Sequence, residues 1–444
     1  MTIDAGAPLH GSLGARLWAR ASASRLVRQN LVLFVGGMLA GVGGFVYHLI
    51  AARLLGPALY GEVASLVSAY LVGNGATFVI TLVLARYAAT LEARGSSSAL
   101  HHLMVRTSKL LVFPSLVALA LLGVLAPLGA SFLHLNSWVP VLWMLLAMVM
   151  IWQVGVPRGM LQGMQRFGAL SVNQSVEMVF RVGLLAILLV AGFGVVGSMV
   201  AVVVGAAVGY SSGMYTLRDI LRVPGERVRL RTMATFALTA AVGTFGILFL
   251  YNNDVILAKH YLSAHDAGIY GGLNKIETII YFGTLSVSQV LYPRVVEAIA
   301  KDAHPGRLLM LSAGVVLAMG AVAVLVFAAA PRLIVGILYG ERFLDAARFM
   351  VPIGLIGLAL SLNNLLVYFF MAAHDRVFMP ILLAGVALEG VLIFLFHHSL
   401  AQVVSDVLSA LVLLLGALVV RAVFLLPALR PEMVAEEGEA AVDP

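Results

Sequence analysis

The chain has 444 residues, of which 61% are hydrophobic and 11% charged, with a formal net charge of +7. No water-soluble fold can hide so much apolar side chain, so the composition excludes a soluble globular protein. Cysteine is absent, which excludes disulfides, thiol catalysis and iron–sulfur ligation by this chain.

Apolar runs long enough to cross a bilayer as helices follow one another from residue 29. The predicted spans are 29–52, 63–88, 106–132, 138–157, 168–191, 195–217, 232–258, 267–294, 307–330, 347–371, 377–397 and 401–425. The first run lacks a small-residue cleavage site and reads as a span, not a signal peptide. Segment 331–346 is too short and too charged to span, and is predicted to lie in the interface as an amphipathic helix. The expected class is an all-α polytopic membrane protein of about 12 transmembrane helices. It divides into a cytoplasmic N-terminal segment (1–28), a six-helix bundle (29–217) and a basic cytoplasmic linker (218–231). A second six-helix bundle (232–426) and an acidic, disordered tail (427–444) follow.

With the N-terminus inside, 21 of the 28 Lys and Arg fall on the cytoplasmic side and 5 outside. That bias fits the positive-inside rule, supports the span count and places both termini in the cytoplasm. The basic pI therefore reflects topology and not nucleic-acid binding. Trp138 and Trp143 read as interface anchors.

The chain repeats itself at a spacing of about 207 residues. Leu55, Gly61 and Leu66 recur as Leu262, Gly268 and Leu273, and Gly163–Arg166 is echoed by Ala373–Arg376 at a spacing of 210. Six spans separate the partners, so the halves share an orientation and form parallel repeats. Two such bundles facing each other are an alternating-access design. Gly36, Ala40 and Gly44 on span one, and Gly205, Gly209 and Gly213 on span six, form small-residue stripes that suit close helix packing.

Ionisable groups inside spans are costly, so each is a candidate site. Asn173, Glu177 and Arg181 stand at i, i+4 and i+8 on one face of span five. Asp254 and Lys275 sit near the shared end of spans seven and eight, where they are predicted to pair. Arg53 and Arg86 flank the first hairpin. Asn363 and Asn364 on span ten, and Glu389 on span eleven, are the polar positions of the second half; Asp406 is a lesser one. A buried helix-to-helix clamp is the alternative for Glu177–Arg181, a structural pair for Asp254–Lys275, and headgroup anchoring for Arg53 and Arg86. No His-rich helix with metal spacing and no large extramembrane loop for enzyme chemistry is present.

Several segments resemble a known group. Residues 52–61 (ARLLGPALYG) resemble the turn after the first helix of bacterial polysaccharide flippases. Residues 161–167 (LQGMQRF) resemble their loop after helix four, Asp254 and Lys259 the end of helix seven, and Leu291–Pro293 the end of helix eight. The chain is thereby similar to the Wzx-type oligosaccharide flippases of the MOP exporter superfamily, whose architecture is MATE-like. That resemblance implies flipping of a polyprenyl-pyrophosphate-linked oligosaccharide across the bacterial cytoplasmic membrane, through a cationic cleft, without enzyme activity. The substrate-binding candidates are then Arg53, Arg86, Asn173, Glu177, Arg181, Lys275, Asn363 and Asn364. Asp254 and Glu389 are candidates for ion coupling. No cofactor is expected beyond coupling to protons, sodium or the membrane potential. Expected partners are the lipid-linked glycan, membrane lipids and other polysaccharide-assembly proteins; the chain is expected to act as a monomer. A cation-coupled multidrug exporter, and a polytopic glycosyltransferase or polymerase, are the alternative readings.

Overall fold

The computed structural model describes residues 13–222, 233–301 and 303–428. The first part of the expected N-terminal segment, most of the expected linker and nearly all of the expected tail lie outside these residues. Among the described residues there is no strand.

The first long helix, Leu13–Gly73, contains one non-helical residue, Gly56 (φ 73, ψ 174), followed by Pro57. The left-handed φ suits glycine, and the proline that follows cannot donate into the previous turn. Two crossings therefore meet at a corner without a loop: α1 (13–55) and α2, which runs from 57 to 73 and, after a turn at Asn74, from Gly75 to Ala93. The chain continues with α3 (Ser97–Val124), α4 (Val139–Gly163), α5 (Phe167–Val190) and α6 (Gly194–Thr216). The second half holds α7 (Met233–Tyr261), α8 (Ala264–Ala300), α9 (Gly306–Ala329), α10 (Met350–Ala372), α11 (Phe378–Leu395) and α12 (Leu400–Ala428). Between α9 and α10 lie a short helix, Pro331–Tyr339, and a 3-10 segment, Glu341–Phe349, where an interfacial element was expected.

Helices pack mostly within their own half. In the first, α1 packs on α5, α2 on α4, and α6 on both α4 and α5; in the second, α10 packs on α8, α9 and α12, and α11 on α12 and α7. The halves meet along α1 and α2 against α7 and α8. By contrast α3 packs on α4 through its first turns and is mostly exposed from Lys109 onward, as a lipid-facing segment should be.

The Gly205, Gly209 and Gly213 stripe faces α5 and α4. A methyl at Gly205 would come within 2.9 Å of the Arg181 side chain, at Gly209 within 2.8 Å of the Glu177 carboxylate, and at Gly213 within 2.7 Å of Pro157. The stripe makes room for polar side chains of the neighbouring helix. On α1, Gly36 and Gly43 touch Ser171 and Met178 of α5, whereas Gly44 faces open space. The contact row on α1 thus runs through Gly36 and Gly43 instead of the expected Gly36–Ala40–Gly44 row.

The halves close on each other at the side assigned as outer. Gly61 lies against Gly268, where an added methyl would stand 2.9 Å from the Gly268 amide, and a methyl on Gly268 would collide with the Pro57 carbonyl. Tyr60, Tyr339 and Phe343 pack beside this contact. Buried Glu62 accepts a 2.6 Å hydrogen bond from the Asn136 side chain, and Lys259 of the other half donates to the His134 carbonyl at 3.4 Å. His260 stacks on Phe132 at 4.1 Å between ring centres.

Candidate functional site

Among the described residues each half carries a buried polar cluster between its helices. In the first half, α5 presents Asn173, Glu177 and Arg181 on one face, and α4 adds Arg158. Arg158 Nη2 lies 2.5 Å from Glu177 Oε2, while Arg181 Nη2 pairs with Glu177 Oε1. Arg158 Nε also donates to Asn173 Oδ1 at 2.9 Å, and Asn173 Nδ2 donates to the Gly209 carbonyl at 2.6 Å and to Ser212 at 2.7 Å. Arg181 reaches the Tyr70 hydroxyl only at 3.4 Å, its guanidinium lies 5.8 Å from the Tyr70 ring centre, and its Nε is buried without a partner. Two guanidiniums share one carboxylate, so the cluster carries one uncompensated positive charge. In a medium of low dielectric such a charge attracts an anion strongly.

The second cluster is acidic. Asp254 on α7 accepts from the Tyr270 hydroxyl at 2.7 Å and from Asn274 Nδ2 at 3.1 Å; Asn274 also donates to Glu277 at 2.9 Å. Glu389 on α11 is fully buried, and neither of its oxygens has a partner. One oxygen each of Asp254 and Glu277 is likewise unpartnered. Glu389 lies within electrostatic reach of both. Ionised together, the three carboxylates would repel one another. Among the described residues no three His, Asp or Glu side chains converge as a metal site requires.

The expected Asp254–Lys275 ion pair is not formed. Asp254 is occupied by Tyr270 and Asn274, and Lys275 stays within electrostatic reach of Asp254 and Glu277 without bonding either. The physical reason is register: Tyr270 and Asn274 lie one turn apart on the α8 face turned to Asp254, and Lys275 is rotated about 100° past Asn274.

The two clusters occupy equivalent places in the repeat. Tyr47 and Asp254 are 207 residues apart, as are Tyr70 and Glu277, and Arg181 and Glu389 are 208 apart. Arg181 faces Tyr47 and Tyr70 just as Glu389 faces Asp254 and Glu277. The geometry repeats and the sign of the charge inverts. Between the clusters lies buried His48, bonded to the Tyr60 hydroxyl at 3.1 Å and within reach of both Arg181 and Lys275.

The other expected residues lie apart. Arg53 donates from Nε to the Leu338 carbonyl at 2.8 Å and from Nη2 to the Ile337 carbonyl, clasping the short interfacial helix. Arg86 is exposed on α2, two turns before its C-terminal end. Buried Asn363 donates to the Leu411 carbonyl at 3.0 Å, tying α10 to α12, and Asn364 is buried beside it. Sequence reading missed Arg158, because the predicted span stops at residue 157 and leaves Arg158 in a cytoplasmic loop. Pro157 lies inside α4, which runs on to Gly163. Glu277 and Asn274 were also missed; Glu277 is an ionisable residue inside the predicted span 267–294, and that alone was signal enough for the first.

The model of a family described as polysaccharide biosynthesis protein matches residues 26–299. Among solved structures, an inward-facing multidrug resistance MATE family transporter of the MOP superfamily has a TM-score of 0.73 at 12% identity, covering 88% of this chain and 95% of that one. An outward-facing transporter of the same description scores 0.60 at 12% identity, covering 90% and 96%. A MOP superfamily transporter from Pyrococcus furiosus, described as having a binding pocket of reverse polarity, scores 0.59 at 13% identity, covering 91% and 95%. At these identities the likeness is one of fold. No curated protein matches the sequence.

Proposed function

Starting from a chain that belongs to the polysaccharide biosynthesis protein family and has the MOP transporter fold, we propose that it flips a polyprenyl-pyrophosphate-linked oligosaccharide across the bacterial cytoplasmic membrane. The observation that carries this reading is the buried excess positive charge of Arg158, Glu177 and Arg181. Glycan and pyrophosphate cannot cross hydrocarbon unaided, and a cationic cleft shields them while the lipid tail stays in the bilayer. Arginine suits a pyrophosphate because its planar fork donates two parallel hydrogen bonds. With the interior negative, moving an anion outward runs with the potential and gains about 2.3 kcal/mol per charge per 100 mV.

The acidic cluster favours a second element. Asp254, Glu277 and Glu389 exchange protons or a monovalent cation as the halves rock, coupling flipping to an ion gradient. The same cluster is what a cation-coupled drug exporter would use, so the test compares cargo. The chain is reconstituted in proteoliposomes with a fluorescent polyprenyl-pyrophosphate oligosaccharide on one face, or with a cationic dye. Transfer of the lipid-linked glycan and none of the dye is the expected result; dye transport alone overturns the reading.

A further inference from the structure

We infer that Arg158 is a positioning residue: it occupies Glu177 so that Arg181 can leave that carboxylate for an anionic group of the cargo. The inference rests on the reading of this cluster as the site for the pyrophosphate. Its basis is the unequal way in which the two guanidiniums are held.

Arg158 is fixed at two points, by Glu177 Oε2 at 2.5 Å and by Asn173 Oδ1 at 2.9 Å. Asn173 is itself anchored to α6 by two further bonds. Arg181 has one firm partner, Glu177 Oε1, a long contact to Tyr70 and an Nε with no acceptor at all. The carboxylate offers one oxygen to each arginine. An arriving phosphate oxygen competes with Glu177 for Arg181 and meets no such opening at Arg158. When Arg181 turns to the phosphate, Glu177 keeps a full ion pair with Arg158, so no buried carboxylate is stranded by the exchange. Arg181 also fills its own unmet Nε donor in the process. Without Arg158, Glu177 and Arg181 would form a closed, neutral pair with one carboxylate for one guanidinium, and an anion would have to break it.

The test measures binding of inorganic pyrophosphate to the purified full chain by calorimetry, with thermal unfolding recorded for each variant. Arg158→Gln should weaken binding tenfold or more. Arg158→Lys, which keeps the charge and loses the two-point hold, should weaken it about threefold to tenfold. Arg158→Gln combined with Glu177→Gln releases Arg181 and should restore binding to within threefold of wild type. If Arg158→Lys binds as well as wild type, Arg158 supplies charge alone and the positioning role is wrong. An unrestored double variant means that Arg158 touches the anion itself or holds the fold, and also overturns the inference. Should Arg158→Gln unfold, Arg158→Lys with and without Glu177→Gln carries the same comparison. Flipping in proteoliposomes separates this inference from the function it rests on. The expected binding pattern without glycan transfer would sink the flippase reading and leave the exchange standing. Glycan transfer by a chain that binds no pyrophosphate would do the reverse.

Discussion

Glu177 stands between two arginines, and this makes the three side chains unequal in what their loss costs. Arg181→Ala leaves Glu177 paired with Arg158, so the protein should insert and melt near wild type while flipping is abolished. Arg181→Lys should rescue poorly, since a point charge lacks the fork. Glu177→Ala strands two guanidiniums in the membrane interior and should cost about 3–5 kcal/mol, seen as a lower melting temperature and less inserted protein. A wild-type melting curve for Glu177→Ala would mean the cluster is hydrated and not buried. At Glu389, with neither oxygen bonded, Glu389→Gln should leave stability unchanged and remove the dependence of transport on the ion gradient. Unaltered ion dependence would place coupling elsewhere. The spacing of Asn173, Glu177 and Arg181 was legible because a helix repeats its face every three to four residues. Their partner Arg158 was not, since no local pattern shows which helix will lie against that face.

At the level of elements, Gly56 and Gly268 set how the halves meet. The α1–α2 corner presses against the start of α8 so closely that Gly268 has no room for a methyl group. Gly268→Val should hold the outer face open. In this cysteine-free chain, Ala64→Cys, fully buried next to that contact, should then react with an impermeant maleimide added outside. No gain in labelling over the Ala64→Cys parent would mean the outer contact is not the gate. At the end predicted to be cytoplasmic each half has a clasp with the signs exchanged: Arg166 to Asp219 at 2.7 Å, and Asp375 to Arg421 at 2.8 Å. Arg166 holds the Asp219 carboxyl below the usual range. Burial alone would raise Asp375, but hydrogen bonds from Arg421 and nearby amides outweigh it and lower it. A depressed carboxylate contributes stability above its unfolded value and loses it as pH falls through the folded one. Both clasps should therefore survive from pH 8 down to about 5, as read by cysteine accessibility at Gly95 and His374. The span order and the interfacial segment were legible because apolar length is a strong signal in a membrane chain. The corner at Gly56 was foreshadowed by its Gly-Pro pair, while the span predicted to stop at 157 continues through Pro157 to Gly163, as neighbouring helices allow a spanning helix to do.

For the molecule as a whole, the orientation that the charge bias predicts is open to direct test. A cysteine at His134 should be labelled from outside and one at Gly95 should not; the opposite pattern would invert the protein. The parallel repeat was readable at a few turn residues. The equivalence of Tyr47 with Asp254 and of Tyr70 with Glu277 was not, because the chemical identity at those positions has changed while the geometry has stayed. That change has a physical consequence. Two pockets of the same sign would attract the same kind of ion, whereas an arginine between tyrosines and a set of carboxylates attract opposite charges, so one fold offers two interior sites of opposite preference.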